Sequence, residues 1–168
     1  MTENTTAATG QHTVDGRPNG SSSLTPHIVV TPARAAIEFY SDVFGAEVDS
    51  VTEMGGIVAH AELGFPMGRL TVGEPMADYG LVAPRAGAPV VYSLAIYVTD
   101  TDSVVERAMA AGATIREEAT TFVSGDRFAS ILDPFGVRWS VMTRVEDLSP
   151  EESERRVAEW AASQSASG

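Results

Sequence analysis

His60 and Glu62, two residues apart on one alternating stretch, are the sharpest chemical pair in the chain. Ile57, Ala59, Ala61, Leu63 and Phe65 alternate there with Val58, His60 and Glu62. Residues 57–65 therefore read as a strand with the imidazole and the carboxylate on one face. A carboxylate beside a histidine orients the ring and raises its basicity, which is what a general base requires. The plainer reading is two rim residues bonded to cross-strand neighbours. The chain has three His and no Cys, and His12 falls in a polar N-terminal stretch, so imidazole chemistry is left to His27 and His60. With Glu62 these make a two-His, one-carboxylate set for a divalent metal, the alternative to a site with no cofactor. Asp133, in Asp133-Pro134-Phe135-Gly136, reads as a turn-stabilising carboxylate and not a catalytic one. Arg127 reads as a bridge to Asp126, Glu117 or Glu118 in preference to an anion-binding group.

The elements that must position these residues follow from periodicity. Residues 1–24 are Thr, Asn, Gly, Ser and Ala with scattered charge, a composition too polar to offset ordering entropy, and read as a disordered tail. A strand at residues 26–30 leads to a helix over Ala33–Phe44, with Ala36, Ile37, Tyr40 and Phe44 on one stripe and Gly45 as its stop. Strands follow at 46–52, 57–65 and 69–73. A Pro/Gly-rich connector, 74–89, precedes a second run of the same order: strand 91–98, helix 103–111 capped from the Thr99-Asp100-Thr101-Asp102 run, a strand from 114, and a closing hairpin of 126–132 and 137–143. Ser149-Pro150-Glu151-Glu152 is a helix start, and the helix it opens is expected to dock on its own domain. Two copies of one β-α-β-β-β unit, each too small to bury its sheet alone, should pair. The expected class is α+β: tandem modules (25–80 and 90–146) forming an open half-barrel cavity within a domain at 25–146, then a C-terminal helix and tail at 147–168.

Bulk properties bound the partners. The chain has 168 residues, a net charge of −12 and no Lys. An acidic surface excludes nucleic acid and anionic membranes as natural partners. No apolar run is long enough to span a bilayer and no leader pattern precedes the domain, which with the absence of Cys predicts a cytoplasmic protein.

The ordered set AAIEFYSDVFGAEV (35–48), HAELGF (60–65), YVTDTDSVVERAMAAGAT (97–114), GDRFASILDPFGVRWSV (125–141) and EESERR (151–156) resembles the vicinal oxygen chelate superfamily of glyoxalases, bleomycin-resistance proteins and dioxygenases. Within it the chain looks most like the PhnB-like group. The resemblance implies paired modules around a cavity and, in the metalloenzymes, four His or Glu ligands on the first and fourth strands of each module. Carried over, those positions fall at Thr25, Thr71, Ser93 and Ser140, all hydroxyl residues and weak ligands beside imidazole or carboxylate. The usual metal site is therefore expected to be absent.

Strand parity gives the cavity face independently: Thr25, His27, Val29, Val58, His60, Glu62, Arg69, Thr71, Ser93, Ala95, Tyr97, Phe128, Ser130, Leu132, Arg138, Ser140 and Met142. Tyr92, Trp139 and Phe65 fall on the other face, in the core. Hydroxyls, aromatics, Met, Arg and His suit a polar-aromatic organic ligand. The expectation is a metal-independent protein that sequesters such a compound, as in antibiotic resistance or secondary metabolism, or acts on it through His60 and Glu62 by cyclisation, isomerisation or dehydration. The alternative is a metal-dependent lyase, transferase or oxygenase using His27, His60 and Glu62. Open sheet edges predict a homodimer, with module pairing inside one chain or between two left open.

Overall fold

The computed structural model describes residues 6–165; the ends of both expected tails lie outside that range. Within the stretch read as a tail, β1 (Thr13–Val14) and β2 (Arg17–Pro18) form a small antiparallel hairpin. The first module comprises β3 (His27–Val29), α1 (Ala33–Phe44), β4 (Glu47–Met54), β5 (Ile57–Phe65) and β6 (Gly68–Gly73). The second repeats it as β7 (Ser93–Tyr97), α2 (Thr101–Ala110), β8 (Thr114–Thr121), β9 (Asp126–Leu132) and β10 (Arg138–Arg144), and α3 (Pro150–Ser165) follows. The architecture is α+β, two tandem modules with open four-stranded sheets. Their strand orders, β3-β6-β5-β4 and β7-β10-β9-β8, correspond element for element. In each, the first strand runs parallel to the last and the remaining pairs are antiparallel.

The helices form where apolar stripes meet local stop and start signals. Gly45 ends α1 in the left-handed region, and the Asp100 side chain caps α2 by accepting from the Ser103 N–H at 3.1 Å. Pro32 supplies no side-chain cap to α1. Glu74, just past β6, does so from outside, accepting from the Ala33 N–H at 2.6 Å, where the helix dipole favours an acid. On α1, Ala36, Ile37, Tyr40 and Val43 are buried, as are Ile28, Ala61, Leu63, Leu70 and Val72 of its sheet. On α2, Val104, Val105 and Ala108 are buried, with Ala129, Ile131, Trp139 and Val141 of the second sheet. All belong to one continuous core.

That core joins the modules back to back. α1 packs against α2, and Tyr40 and Phe44 lie 5.3 and 4.6 Å (ring centroids) from Trp139. Asp133 locks the joint. Its Oδ1 accepts from the backbone N–H groups of Phe135 and Val137, its Oδ2 from the Tyr40 hydroxyl at 2.8 Å and the Trp139 indole at 3.0 Å. Burial holds this carboxyl above its ordinary range, with the four donors pulling the other way. The turn role read from the sequence is present, and a bridge between modules is added to it.

Two expectations fail at irregular points. Val58 is buried in the core, not on the open face. The β4–β5 register shifts between Thr52 and Glu53, leaving Ala59 unpaired, and this bulge reverses the parity of what precedes it. Tyr92 precedes the shorter β7 and is half exposed, whereas Trp139 lies in the core as read.

Candidate functional site

The open face of the first sheet gathers the expected chemistry. β3 and β6 pair with His27 opposite Thr71, and His27 Nδ1 lies 2.9 Å from Thr71 Oγ1. His60, on β5, stacks with His27 at 6.0 Å between ring centroids, planes 6° apart. Burial, and secondarily the neighbouring His60, push His27 below the ordinary histidine pKa. His60 Nε2 is 3.7 Å from Glu62 Oε1, and the two side chains are 45% and 43% exposed. Glu62 Oε2 accepts from Arg69 at 3.3 Å, and the same guanidinium nitrogen donates to Asp49 at 2.8 Å. Glu62 is thus held by Arg69 and only approaches His60. Gly73 makes the close packing behind His27 possible: a Cβ there would sit 2.8 Å from the Ala59 carbonyl oxygen and 3.4 Å from His27 Cε1.

The open face of the second sheet is set by the β7–β10–β9 register, which aligns Ser93 with Arg138 and Leu132, Ala95 with Ser140 and Ser130, and Tyr97 with Met142 and Phe128. Arg138 donates to Ser130 Oγ at 2.8 Å and pairs with Glu117 of β8. At the far end Tyr97 donates to Asp126 at 3.3 Å, and Arg144 donates to the same oxygen at 2.8 Å. Phe128, Ser140 and Met142 are half-buried between these two polar ends, while Ser93 is exposed.

Of the seventeen residues that parity assigned to the cavity face, and Val58 apart, all but one lie on the two open faces. Thr25 is the exception: it precedes β3 and its hydroxyl lies 3.0 Å from Ser22 Oγ. Asp49, Glu117, Asp126 and Arg144 belong to these faces and were missed. Asp49 and Glu117 lie at register shifts, where alternation alone does not assign them, whereas Asp126 and Arg144 continue the alternation of β9 and β10 and were legible from it. Arg127 forms an ion pair as read, but with Asp102 of α2, a partner that only helix packing on the sheet can supply.

With this geometry the comparisons with known proteins agree. The model of the Glyoxalase/Bleomycin resistance protein/Dioxygenase superfamily matches residues 11–141, and the chain belongs to that superfamily. It is 34% identical over 144 residues to the uncharacterized protein Rv0887c of Mycobacterium tuberculosis (strain ATCC 25618 / H37Rv), covering 80% of this chain and 81% of that one. The uncharacterized protein Mb0911c of Mycobacterium bovis is 34% identical over the same length, with 91% of it covered. Among solved structures, TioX from Micromonospora sp. ML1 superposes with a TM-score of 0.59 at 22% identity, over 74% of this chain and 99% of that one. An Arabidopsis thaliana gene product does so with a TM-score of 0.58 at 23% identity, over 71% and 97%. At these identities the structures speak for the fold.

The metal that the superfamily resemblance implies does not fit the donors present. Thr71 and Ser140 are neutral hydroxyls. The register corrects the two first-strand positions: His27, not Thr25, lies beside Thr71, and Ala95, not Ser93, beside Ser140, so the four places offer one imidazole and no carboxylate, and the positions first read offer hydroxyls alone. The displaced set fares no better. His27 and His60 present nearly parallel rings, Glu62 is engaged by Arg69, and among the described residues no group of three His, Cys, Asp or Glu is arranged to hold a metal ion.

Proposed function

We propose that this chain is a metal-independent small-molecule-binding protein, which takes a polar-aromatic organic compound on its open faces and withholds it from solution. The observation that carries this is the pairing of the site's own charges. Arg69 is matched by Asp49 and Glu62, Arg138 by Glu117, and Arg144 by Asp126. Such faces offer directional hydrogen bonds and apolar floor, with little net charge to satisfy. Sequestration of an antibiotic-like compound in a cytoplasmic setting fits that chemistry, and the motif set favours the PhnB-like group.

A second reading rests on His60. Its side chain is partly exposed, with Nε2 3.7 Å from a carboxylate, a distance that ligand binding commonly shortens. There it could take a proton from a bound ligand and return it elsewhere, as isomerisation, cyclisation or dehydration require. The two readings part on one experiment, a thermal-shift screen with aromatic natural products followed by product analysis for each binder. Tight binding with no product supports sequestration. Turnover that His60→Ala abolishes while binding persists establishes the acid–base reading instead. No binder at all sinks both.

The same proposal includes a homodimer. Within one chain the modules meet through α1 and α2, and the open faces belong to separate sheets. His27, Ser93 and Tyr97 are exposed. A second copy would bring the first sheet of one chain opposite the second sheet of its partner and close two cavities. Light scattering should give twice the chain mass; a monomer at micromolar concentration overturns this part.

A further inference from the structure

A groove beside the open faces has a chemistry of its own. The connector between the modules folds back over the closing hairpin, and residues 82–92 form one wall of a cavity of about 630 Å³. Residues 132–137 form another, and His27, Val29 and Thr31 a third. The volume is within the range of roughly 300–1,000 Å³ typical of small-molecule sites. The wall is built to stay in place. Gly136 sits at φ +87° at the turn, and a Cβ there would meet Pro84 Cβ at 2.6 Å. The connector therefore seats on the hairpin only because that position is glycine.

The lining is apolar and aromatic, with Val29, Pro84, Tyr92 and Phe135 facing the cavity, and Val82 and Val91 at its lip are 77% and 93% exposed. Its charged groups do not pair with one another. Asp133 is 3% exposed, and both its oxygens are taken by four donors. Burial and the neighbouring His60 disfavour the charged form of His27. Arg85 also lines the cavity. Among the described residues it and Arg116 are the arginines with neither an ion pair nor a side-chain hydrogen bond. In a chain of net charge −12, an unmatched guanidinium over an apolar groove marks where a ligand supplies the missing anion.

We propose that the connector groove binds an apolar aromatic carboxylate, its ring against Tyr92 and Phe135 and its carboxylate on Arg85. This rests on the small-molecule reading above and narrows it to an acid. The probes are 1-naphthoate and its uncharged isostere 1-naphthamide, titrated by calorimetry into the full chain, with backbone amide shifts followed by NMR. Arg85→Gln is compared with Arg116→Gln, which removes the same charge from exposed β8. Naphthoate should bind about tenfold tighter than the amide, the worth of one charge-assisted hydrogen bond, and shift amides in 84–92 and 132–137. Arg85→Gln should abolish that preference and Arg116→Gln should leave it. Equal affinities for acid and amide in the parent overturn the proposal, as does an acid preference that Arg85→Gln leaves intact. Saturable binding that instead shifts amides around His60 and Thr71 overturns it while sparing the small-molecule reading. No binding of either probe at millimolar concentration overturns it too; whether the small-molecule reading also falls is decided by the natural-product screen.

Discussion

Removing the Tyr40 hydroxyl tests the joint between the modules. Tyr40 is fully buried, and its hydroxyl donates to Asp133 at 2.8 Å. Tyr40→Phe keeps the ring and its contacts with Trp139 and Phe44, and deletes one hydrogen bond to an ionised group. Such a bond contributes about 1.5–3 kcal/mol net. Asp133 Oδ2 keeps the Trp139 indole at 3.0 Å, so the carboxylate is not orphaned and the lower figure, about 1.5 kcal/mol, applies. Asp133→Asn is harsher. Each carboxylate oxygen accepts two donors, so in either amide orientation an NH₂ group faces two N–H or O–H groups. Two buried donors lose their acceptor, at about 1–3 kcal/mol each. For a chain of this size, Tyr40→Phe should lower Tm by about 3–6 °C, and Asp133→Asn by more. Urea titration followed by far-UV circular dichroism gives the free energies, and the double mutant gives the coupling. The reasoning is refuted if Tyr40→Phe lies within about 0.5 kcal/mol of the parent, or if Asp133→Asn costs no more than Tyr40→Phe.

Three further outcomes are expected. In a histidine NMR titration His27 should ionise below the ordinary value, and His60→Gln should raise it only part of the way, because burial is the larger cause. Since the unfolded chain holds that proton at higher pH than the folded one, stability should fall as pH drops from about 6.5 through the His27 pKa; a His27 that titrates above the ordinary value contradicts the stacked geometry. Trp160→Ala removes the edge-to-face contact with Phe122 at 4.9 Å, costing about 0.5–1.5 kcal/mol beyond lost area. It should strip hydrogen-exchange protection from α3 alone, because α3 has no buried residue; parallel loss in the sheets would show α3 to be part of the core. Incubation with Zn, Ni, Mn or Fe(II) followed by elemental analysis should give no stoichiometric metal that His60→Ala removes, and finding such metal would restore the two-His, one-carboxylate reading.

What the sequence carried legibly was local. α1 occupies Ala33–Phe44 as read, because its stripe and the proline and glycine that flank it are contiguous in sequence. β5 and β9 also match to the residue. The limits appear where a partner comes from far along the chain. The helix-capping carboxylate is Glu74, 41 residues from the N–H it accepts, and the Tyr40–Asp133 bond spans 93 residues; no periodicity reports either. The open faces were legible for the same reason as the helices, since parity is local, and they failed at the β5 bulge, where one unpaired residue moves Val58 into the core. Arg85 shows the converse. Its significance is that nothing in the fold answers its charge, a property of the assembled structure that residue type and spacing do not encode. The acidic chain supplies a carboxylate to seven of its other arginines and bonds Arg17 and Arg107 to neutral oxygens, while Arg116 stands on exposed β8 away from the groove's walls. A guanidinium left over beside a glycine-dependent apolar groove is therefore the place where a ligand, not the chain, completes the electrostatics.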